Sequence, residues 1–223
     1  QWHTYYYISY RGLPGGIVRR LSDLYTDVGR EWDQNFFSQL SWQDHFGSFG
    51  LRAILKYAND RLHYRSDYDY NMSVHSNVTY HQQDAYEAVA ASYSYKDLGV
   101  SLSSDLRWSD LTADLKHFSY VYRLDNKTSL SVFYRWKGLA LNATGLYTYC
   151  RDHTRRQADP LHRFTWDAMA SYTLGDWTLR TFYKSVFRIP TLNDLYYTLV
   201  GNRSLRPEYT KQVDVGFSYS HDW

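Results

Sequence analysis

Cysteine, proline and methionine are scarce in this sequence of 223 residues, which has one Cys, four Pro and two Met. Because Cys150 is the single cysteine, an intramolecular disulfide and a thiolate-rich metal site are both excluded. The 25 basic and 23 acidic residues leave a net charge of +2, which gives no electrostatic reason to expect a nucleic-acid partner. We therefore predict no nucleic-acid binding.

Long apolar runs and enzyme motifs are also missing. No stretch of about 18 apolar residues occurs, and the mean hydropathy is −0.61, so the sequence contains no transmembrane helix. Residues 1–6 lack the basic and then apolar pattern of a signal peptide, so we expect that a leader was removed or that the sequence is an excerpt. There is no HExxH, no phosphate-binding glycine loop and no Gly-x-Ser-x-Gly elbow, and we predict that the chain is not an enzyme.

Aromatic residues are abundant instead: 24 Tyr, 8 Trp and 10 Phe make up 19% of the chain. They favour β-strands because their side chains fit a pleated surface, and Tyr and Trp combine a polar end with an apolar body. Apolar and polar residues also alternate with a period of two, which is typical of strands with one apolar and one polar face. These runs predict an all-β, antiparallel chain of about ten strands, at residues 1–10, 32–46, 49–58, 83–96, 99–108, 128–137, 139–150, 164–174, 177–188 and 209–220.

Two kinds of connection alternate between the predicted strands. Tight hairpin turns are predicted at Gly47-Ser48, Asp97-Leu98, Lys137-Gly138 and Gly175-Asp176, and long polar stretches near residues 11–31, 59–82, 109–127, 151–163 and 189–208. Short turns and long loops therefore lie at opposite ends of one sheet. This arrangement is typical of a transmembrane β-barrel of the bacterial outer membrane, with short periplasmic turns and long extracellular loops.

The two faces of the predicted sheet suit lipid and water. Ten residues tilted by about 40° span roughly 25 Å, the height of the apolar band of such barrels. Aromatic residues of the apolar face lie near the short turns (Trp136, Trp177) and near the long loops (Trp108, Tyr149, Trp166), as interfacial girdles require. The other face carries charged and amide side chains that fit a water-filled or plugged lumen: Asn35, Gln39, Arg52, Lys56, Ser101, Asp105, Arg107, Arg135, Asn142, Arg180 and Lys184.

Two alternatives remain open at this point. A soluble, aromatic-rich, carbohydrate-binding β-protein would pack its outward residues Leu102, Leu106, Val132 and Leu179 against a second layer. A self-contained small barrel, acting as a porin or an enzyme, would close between its first and tenth strands, because open sheet edges are not tolerated in hydrocarbon.

Two motifs near the C-terminal end resemble a known signature. Residues 187–197 read FRIPTLNDLYY, and residues 201–208 read GNRSLRPE. Together they resemble the barrel of TonB-dependent outer-membrane receptors. Residues 11–16 (RGLPGG) and 32–37 (WDQNFF) are similar to the vitamin B12 and iron-chelate receptors of that family in Bacteroides-like bacteria. With the alternation between these motifs, the resemblance covers nearly the whole chain.

The resemblance implies more than the barrel. Members of the family have about 22 strands and an N-terminal plug, so we expect residues 1–223 to be a partial barrel without its plug, embedded in outer-membrane lipid. They take up scarce solutes with energy from the TonB–ExbB–ExbD complex. The implied solute is cobalamin or an iron–siderophore or haem complex, and glycan import is a less favoured alternative.

Candidate ligand-binding side chains lie in the predicted long loops, where aromatic and histidine residues cluster. They would stack on a corrin, a haem or a catecholate; the alternative is that they only pack the loops and the girdle. The candidates are Tyr68, Tyr70, His117, Tyr120, His153, Tyr196 and Tyr197.

Two further predictions concern charged groups. By parity Arg188 and Glu208 share the polar face, so we predict a lumenal ion pair between them, and Gly201-Asn202 suits a turn with positive φ. Asp67, Asp69 and Asn71 space oxygen atoms as a calcium loop begins, although Met72 and Val78 stand where such a loop needs Gly and Glu. No other cofactor is expected. The alternatives are that the Arg188 motif only shapes the barrel and that residues 67–71 are a solvated loop.

Overall fold

The computed structural model describes residues 1–12, 29–66, 76–116, 118–154, 159–197 and 201–220. Ten strands form one sheet in which each strand pairs antiparallel with the next along the chain. A single described helix, α1 (Leu192–Tyr196), lies between the last two strands, and no described helix has the length and apolar character to cross a bilayer. The strands are β1 (Trp2–Gly12), β2 (Arg30–Phe46), β3 (Phe49–Ser66), β4 (Ser76–Tyr95), β5 (Leu98–Ala113), β6 (Val121–Trp136), β7 (Leu139–His153), β8 (Leu161–Leu174), β9 (Trp177–Arg188) and β10 (Glu208–Tyr219).

This architecture confirms the predicted all-β antiparallel fold, and the strands differ from the prediction mainly at one end. β3 and β4 continue to Ser66 and from Ser76, although residues 59–82 were predicted to be a loop. β5 and β6 likewise extend into the predicted loop 109–127. Beyond the apolar band the pattern reverses: the face that was apolar carries Arg61 and His81, and the other face carries buried residues such as Val78 and Leu111. The alternation that marks the strands therefore breaks in the sequence while the backbone ladder continues.

Four hairpin turns lie at the opposite end of the sheet. Three are at the predicted positions, and the fourth is at Lys96-Asp97 rather than Asp97-Leu98, because Leu98 pairs with Tyr95. A shift of one residue would move Leu98 to the polar face. The first residue of each turn has a positive φ, at Gly47, Lys96, Lys137 and Gly175.

The strand register places the apolar side chains on one exposed face. Leu55 on β3, Leu102 on β5 and Leu130 on β6 are about half exposed, and Leu102 pairs directly with Leu130. The four residues that a soluble β-protein would bury are also exposed, at 52% (Leu102), 43% (Leu106), 38% (Val132) and 53% (Leu179). Within the described residues no second layer covers them, so the packing that the soluble alternative requires is not observed.

The edges of the sheet bear on the small-barrel alternative. The hydrogen-bonded order begins at β1 and ends at β10, and no ladder joins these two strands in the described part of the chain. The closure that a self-contained barrel of ten strands requires is therefore not observed.

The buried core lies on the polar face, at the end away from the hairpin turns. Val78 and Tyr80 of β4, Leu111 of β5 and Val121 of β6 are buried there together with Leu192 of α1. Because strands alone leave this face open, the loop that carries α1 is what completes the core.

Candidate functional site

The connection between β9 and β10 folds back over the polar face of the sheet. β9 ends at Arg188, and Pro190 cannot donate a hydrogen bond to a ladder, so the chain leaves the sheet here as predicted. A capping box starts α1: the Thr191 amide donates to Asp194 Oδ2 (2.9 Å) and the Asp194 amide donates to Thr191 Oγ1 (3.1 Å). These bonds hold the pKa of Asp194 below its usual range. We call residues 189–197 and 201–207 the β9–β10 loop.

Two apolar contacts dock the β9–β10 loop on the sheet. Leu192 is 4% exposed and packs with Val78, Leu111 and Val121, a burial worth about 1.5–3 kcal/mol. The ring of Tyr197 stacks on Tyr80, with centroids 4.2 Å apart and planes 18° from parallel. Burial raises the pKa of Tyr197 to about 12, and Tyr80 adds to the shift.

A buried arginine connects the sheet and the β9–β10 loop through hydrogen bonds. Arg123 of β6 binds Asp152 of β7 with two hydrogen bonds, from Nε (2.6 Å) and Nη2 (2.7 Å). Its Nη1 donates to the Pro190 carbonyl at 2.6 Å. One guanidinium therefore connects two strands and the start of the loop, and all three hydrogen bonds are charge-assisted because the donor is a cation.

A pocket of about 400 Å³ lies between the β9–β10 loop and the polar face. Arg107 binds Asp84 at its edge, through Nη2 to Oδ1 at 2.7 Å. Lys127 and Asp125 also line the pocket. Its walls thus offer cations, a carboxylate and hydroxyl groups to one bound molecule. The lining residues are Gln82, Arg107, Ser109, Arg123, Asp125, Lys127, Leu146, Thr148, Cys150, Phe187, Arg188, Ile189, Thr191, Leu192 and Asn193.

The structure brings the predicted pair Arg188 and Glu208 together. They are directly opposite in the β9–β10 ladder, and Arg188 Nη1 lies 3.8 Å from Glu208 Oε2. Both side chains are mostly exposed, so the pair contributes little to stability. A small cavity of about 180 Å³ is lined by Arg188, Pro190, Asp194, Leu205, Arg206 and Glu208.

The prediction of a turn with positive φ at Gly201-Asn202 is wrong. Neither residue has a positive φ. Gly201 is required for another reason: a Cβ there would collide with the Tyr197 carbonyl oxygen and lie 2.7 Å from the Tyr197 nitrogen. The chain passes that close because the Gly201 amide donates to the Tyr197 carbonyl (2.8 Å) and the Asn202 amide to the Asp194 carbonyl (2.7 Å).

The predicted aromatic and histidine ligands separate into two places. Tyr196 and Tyr197 belong to the β9–β10 loop, on the pocket side of the sheet. Tyr120 and His153 instead group around Tyr122: the ring of His153 stacks on Tyr122 at 4.3 Å, and that of Tyr120 lies 6.0 Å away. Tyr122 and His153 pair on the apolar-face parity, so the structure does not bring His153 to the pocket.

Tyr120 and Tyr196 each have a raised pKa and a charged neighbour. The Tyr120 hydroxyl donates to Asp110 Oδ2 at 3.2 Å, and burial together with that carboxylate raises the pKa of Tyr120. Burial also raises the pKa of Tyr196, whose ring lies under the Arg203 guanidinium at 5.3 Å.

Several predicted site residues lie outside the described part of the chain. These are the ligand candidates Tyr68, Tyr70 and His117 and the calcium candidates Asp67, Asp69 and Asn71. Among the residues that are described, no group of three or more His, Cys, Asp or Glu is placed to hold a metal ion.

Three charged residues that line the pocket were not among the predicted site residues. Arg123, Asp125 and Lys127 fell in the predicted loop 109–127, although β6 begins at Val121. Their spacing of two was the available signal, because it puts all three on one face of a strand.

Comparisons with known proteins agree with this geometry. The model of the family described as "TonB dependent receptor-like, beta-barrel" matches residues 2–223. No curated protein matches the chain in sequence.

Several solved structures share the fold. The copper transporter OprC is 13% identical, with a TM-score of 0.68, and the matched region covers 87% of this chain and 37% of the OprC chain. The ferric preacinetobactin receptor BauA of Acinetobacter baumannii is 7% identical, with a TM-score of 0.58, and the coverage is 87% and 36%. The alcaligin receptor FauA of Bordetella pertussis is 15% identical, with a TM-score of 0.56, and the coverage is 85% and 34%. The chain therefore spans little more than a third of the length of these structures.

Proposed function

This chain belongs to the family of TonB-dependent receptor-like β-barrels of the bacterial outer membrane, and from that premise we propose that it serves the uptake of a scarce solute, either cobalamin or an iron chelate. In this proposal the protein carries its solute without changing it chemically. The apolar face of the sheet meets lipid, and the polar face lines the path of the solute.

The pocket beneath the β9–β10 loop is the observation that carries the proposal. It lies on the polar face, at the end opposite the short turns, where a solute arriving from outside would first meet the wall. Arg107, Lys127 and Asp125 give it charges of both signs, and a volume of about 400 Å³ falls within the range of small-molecule sites.

The charged side chains of the pocket suit an anionic chelate as the solute. Carboxylate, catecholate and phosphate groups of chelates accept forked hydrogen bonds from arginine, and lysine adds a point charge. BauA is described as a ferric preacinetobactin receptor and FauA as an alcaligin receptor, which supports an iron chelate. Cobalamin rests on the resemblance of the sequence motifs alone, and haem is included among the iron complexes.

Energy for release of the solute would come from the TonB–ExbB–ExbD complex acting through a plug. A weak calcium site at Asp67, Asp69 and Asn71 would organise one extracellular loop, as Asp-rich loops do in cobalamin receptors of the family. The candidate residues Tyr68, Tyr70, His117 and Tyr120 would then provide aromatic contacts to the solute.

Binding to the purified full-length receptor tests the proposal. Tryptophan fluorescence is recorded during titration with ferric catecholate, ferric hydroxamate, haem and cyanocobalamin. We expect one of them to bind, and Lys127→Gln to weaken that binding about tenfold, the effect of one charged hydrogen bond. Arg180→Gln is the matched control, since Arg180 is on the same face but outside the pocket.

Two outcomes of this titration would contradict the proposal. The proposal is wrong if none of the four solutes binds, or if Lys127→Gln and Arg180→Gln bind the solute equally well.

A further inference from the structure

A groove crosses the exposed apolar face over β3, β4 and β5. Tyr57, Ala85 and Trp108 stand directly opposite one another on the three strands, so a methyl group lies between two aromatic walls. The groove has a volume of about 450 Å³, and Leu40, Leu55, Leu106 and Leu124 supply most of its remaining apolar lining.

The end of the groove towards the long loops becomes polar within one step of the ladder. The Tyr57 hydroxyl donates to Gln83 Oε1 at 3.0 Å, and Asn59 Nδ2 donates to the Tyr57 hydroxyl at 3.5 Å. A tyrosine with its ring in an apolar band and its hydroxyl among amides marks the level where hydrocarbon gives way to headgroups.

Two residues beyond Asn59 on β3 and Gln83 on β4, the sheet carries exposed basic side chains. Arg61 and His81 are direct partners in the β3–β4 ladder, and both side chains are exposed. In the described part of the chain Arg61 forms no ion pair. The guanidinium is therefore available to an anion just above the groove.

The carboxylates near the groove do not neutralise this cation. Asp110 is buried and accepts hydrogen bonds from the Gln83 amide and the Tyr120 hydroxyl. Glu87 lines the groove, six residues along the ladder from His81, a separation of about 20 Å at the rise of a strand. A carboxylate at one end and a guanidinium at the other would orient an anionic amphiphile with its headgroup at Arg61.

We propose that this groove binds a phosphate-bearing lipid of the outer leaflet, with an acyl chain between Tyr57 and Trp108 and a phosphate on Arg61 and His81. The placement of the family in the outer membrane exposes this face to lipid. The order along the strands, apolar groove, then aromatic hydroxyl, then cation, matches the order of groups in such a lipid. The site lies on the opposite side of the sheet from the solute pocket, so it is separate from uptake.

Native mass spectrometry of the full-length receptor in detergent tests the site with bisphosphorylated lipid A as the probe. We expect wild-type receptor to retain the lipid, and Arg61→Gln to weaken retention about tenfold through loss of a charged hydrogen bond. Ala85→Phe should weaken it too by filling the groove. Arg52→Gln is the matched control, because Arg52 is exposed on the same strand but pairs on the polar face.

Chemical variation of the probe separates the headgroup from the chains. Lipid A from which both phosphates have been removed should bind wild type and Arg61→Gln equally and weakly. Retention that survives Arg61→Gln, that survives removal of the phosphates, or that falls equally in Arg52→Gln overturns the proposal. Correct folding of each variant is checked by resistance to unfolding in SDS gels without heating.

Discussion

Tyr197 and Tyr80 stack face to face, with ring centroids 4.2 Å apart, and this contact joins the end of α1 to the wall of the sheet. Tyr197 is the C-cap residue of α1, whereas Tyr80 lies in the ladder of β4. The stacking therefore decides whether the loop stays over the pocket, together with Leu192 and the Arg123 hydrogen bond to Pro190.

Alkaline pH should undock the loop. Burial disfavours the phenolate of Tyr197 and raises its pKa to about 12, whereas an undocked tyrosine ionises near its ordinary pKa of about 10. Docking is thus fully favoured below pH 10 and loses stability as the pH rises through 12. A spin label at Ser204→Cys should become mobile over this range, and Tyr197→Phe should abolish the step. An identical step in Tyr197→Phe would show that another group titrates.

Removing the side chain of Leu192 should release the same loop. Leu192 is 4% exposed among apolar residues, and Leu→Ala at such a site costs about 2–5 kcal/mol. The spin label at Ser204→Cys should report a mobile loop at neutral pH in Leu192→Ala. Leu205→Ala is the control, since Leu205 in the same loop is 46% exposed. Equal mobility in the two variants would contradict the packing role of Leu192.

An alanine at position 201 should also disturb the loop. A Cβ on Gly201 would meet the Tyr197 backbone on two sides, and backbone atoms cannot rotate away as a flexible side chain can. We expect Gly201→Ala to increase the rate of proteolysis in the β9–β10 loop, measured on intact receptor in micelles. Gly216→Ala serves for comparison, because the nearest atom to a Cβ there is 3.9 Å away. Unchanged cleavage in Gly201→Ala would mean that the backbone relaxes without cost.

The sequence was informative where one chemical pattern repeats. Ten strands, the parity of their faces and three of four hairpin turns could be predicted, because side chains alternate across a strand and lipid-facing positions must be apolar. The pairing of Arg188 with Glu208 also followed from parity. Strand ends could not be predicted, since β3 to β6 continue past the apolar band, where the outward face becomes polar and the other face becomes apolar.

The candidate site was predictable only in part. Tyr196 and Tyr197 stay predicted ligand residues and lie in the β9–β10 loop, whereas Arg123, Asp125 and Lys127, which line the pocket, fell in a stretch assigned to a loop. His153, another predicted ligand residue, lies on the other face of the sheet, against Tyr122.

The sequence by itself determined that the chain forms an antiparallel sheet with one apolar and one polar face, because that follows from local alternation. The tertiary structure alone decided that residues 189–197 fold back over the polar face of the sheet and cover a charged pocket. That arrangement depends on Leu192 meeting Val78, Leu111 and Val121, and on Arg123 meeting Pro190, 67 positions away. Contacts between residues so far apart leave no periodic trace in the sequence, and they form only after the strands have brought their side chains to one end of the sheet.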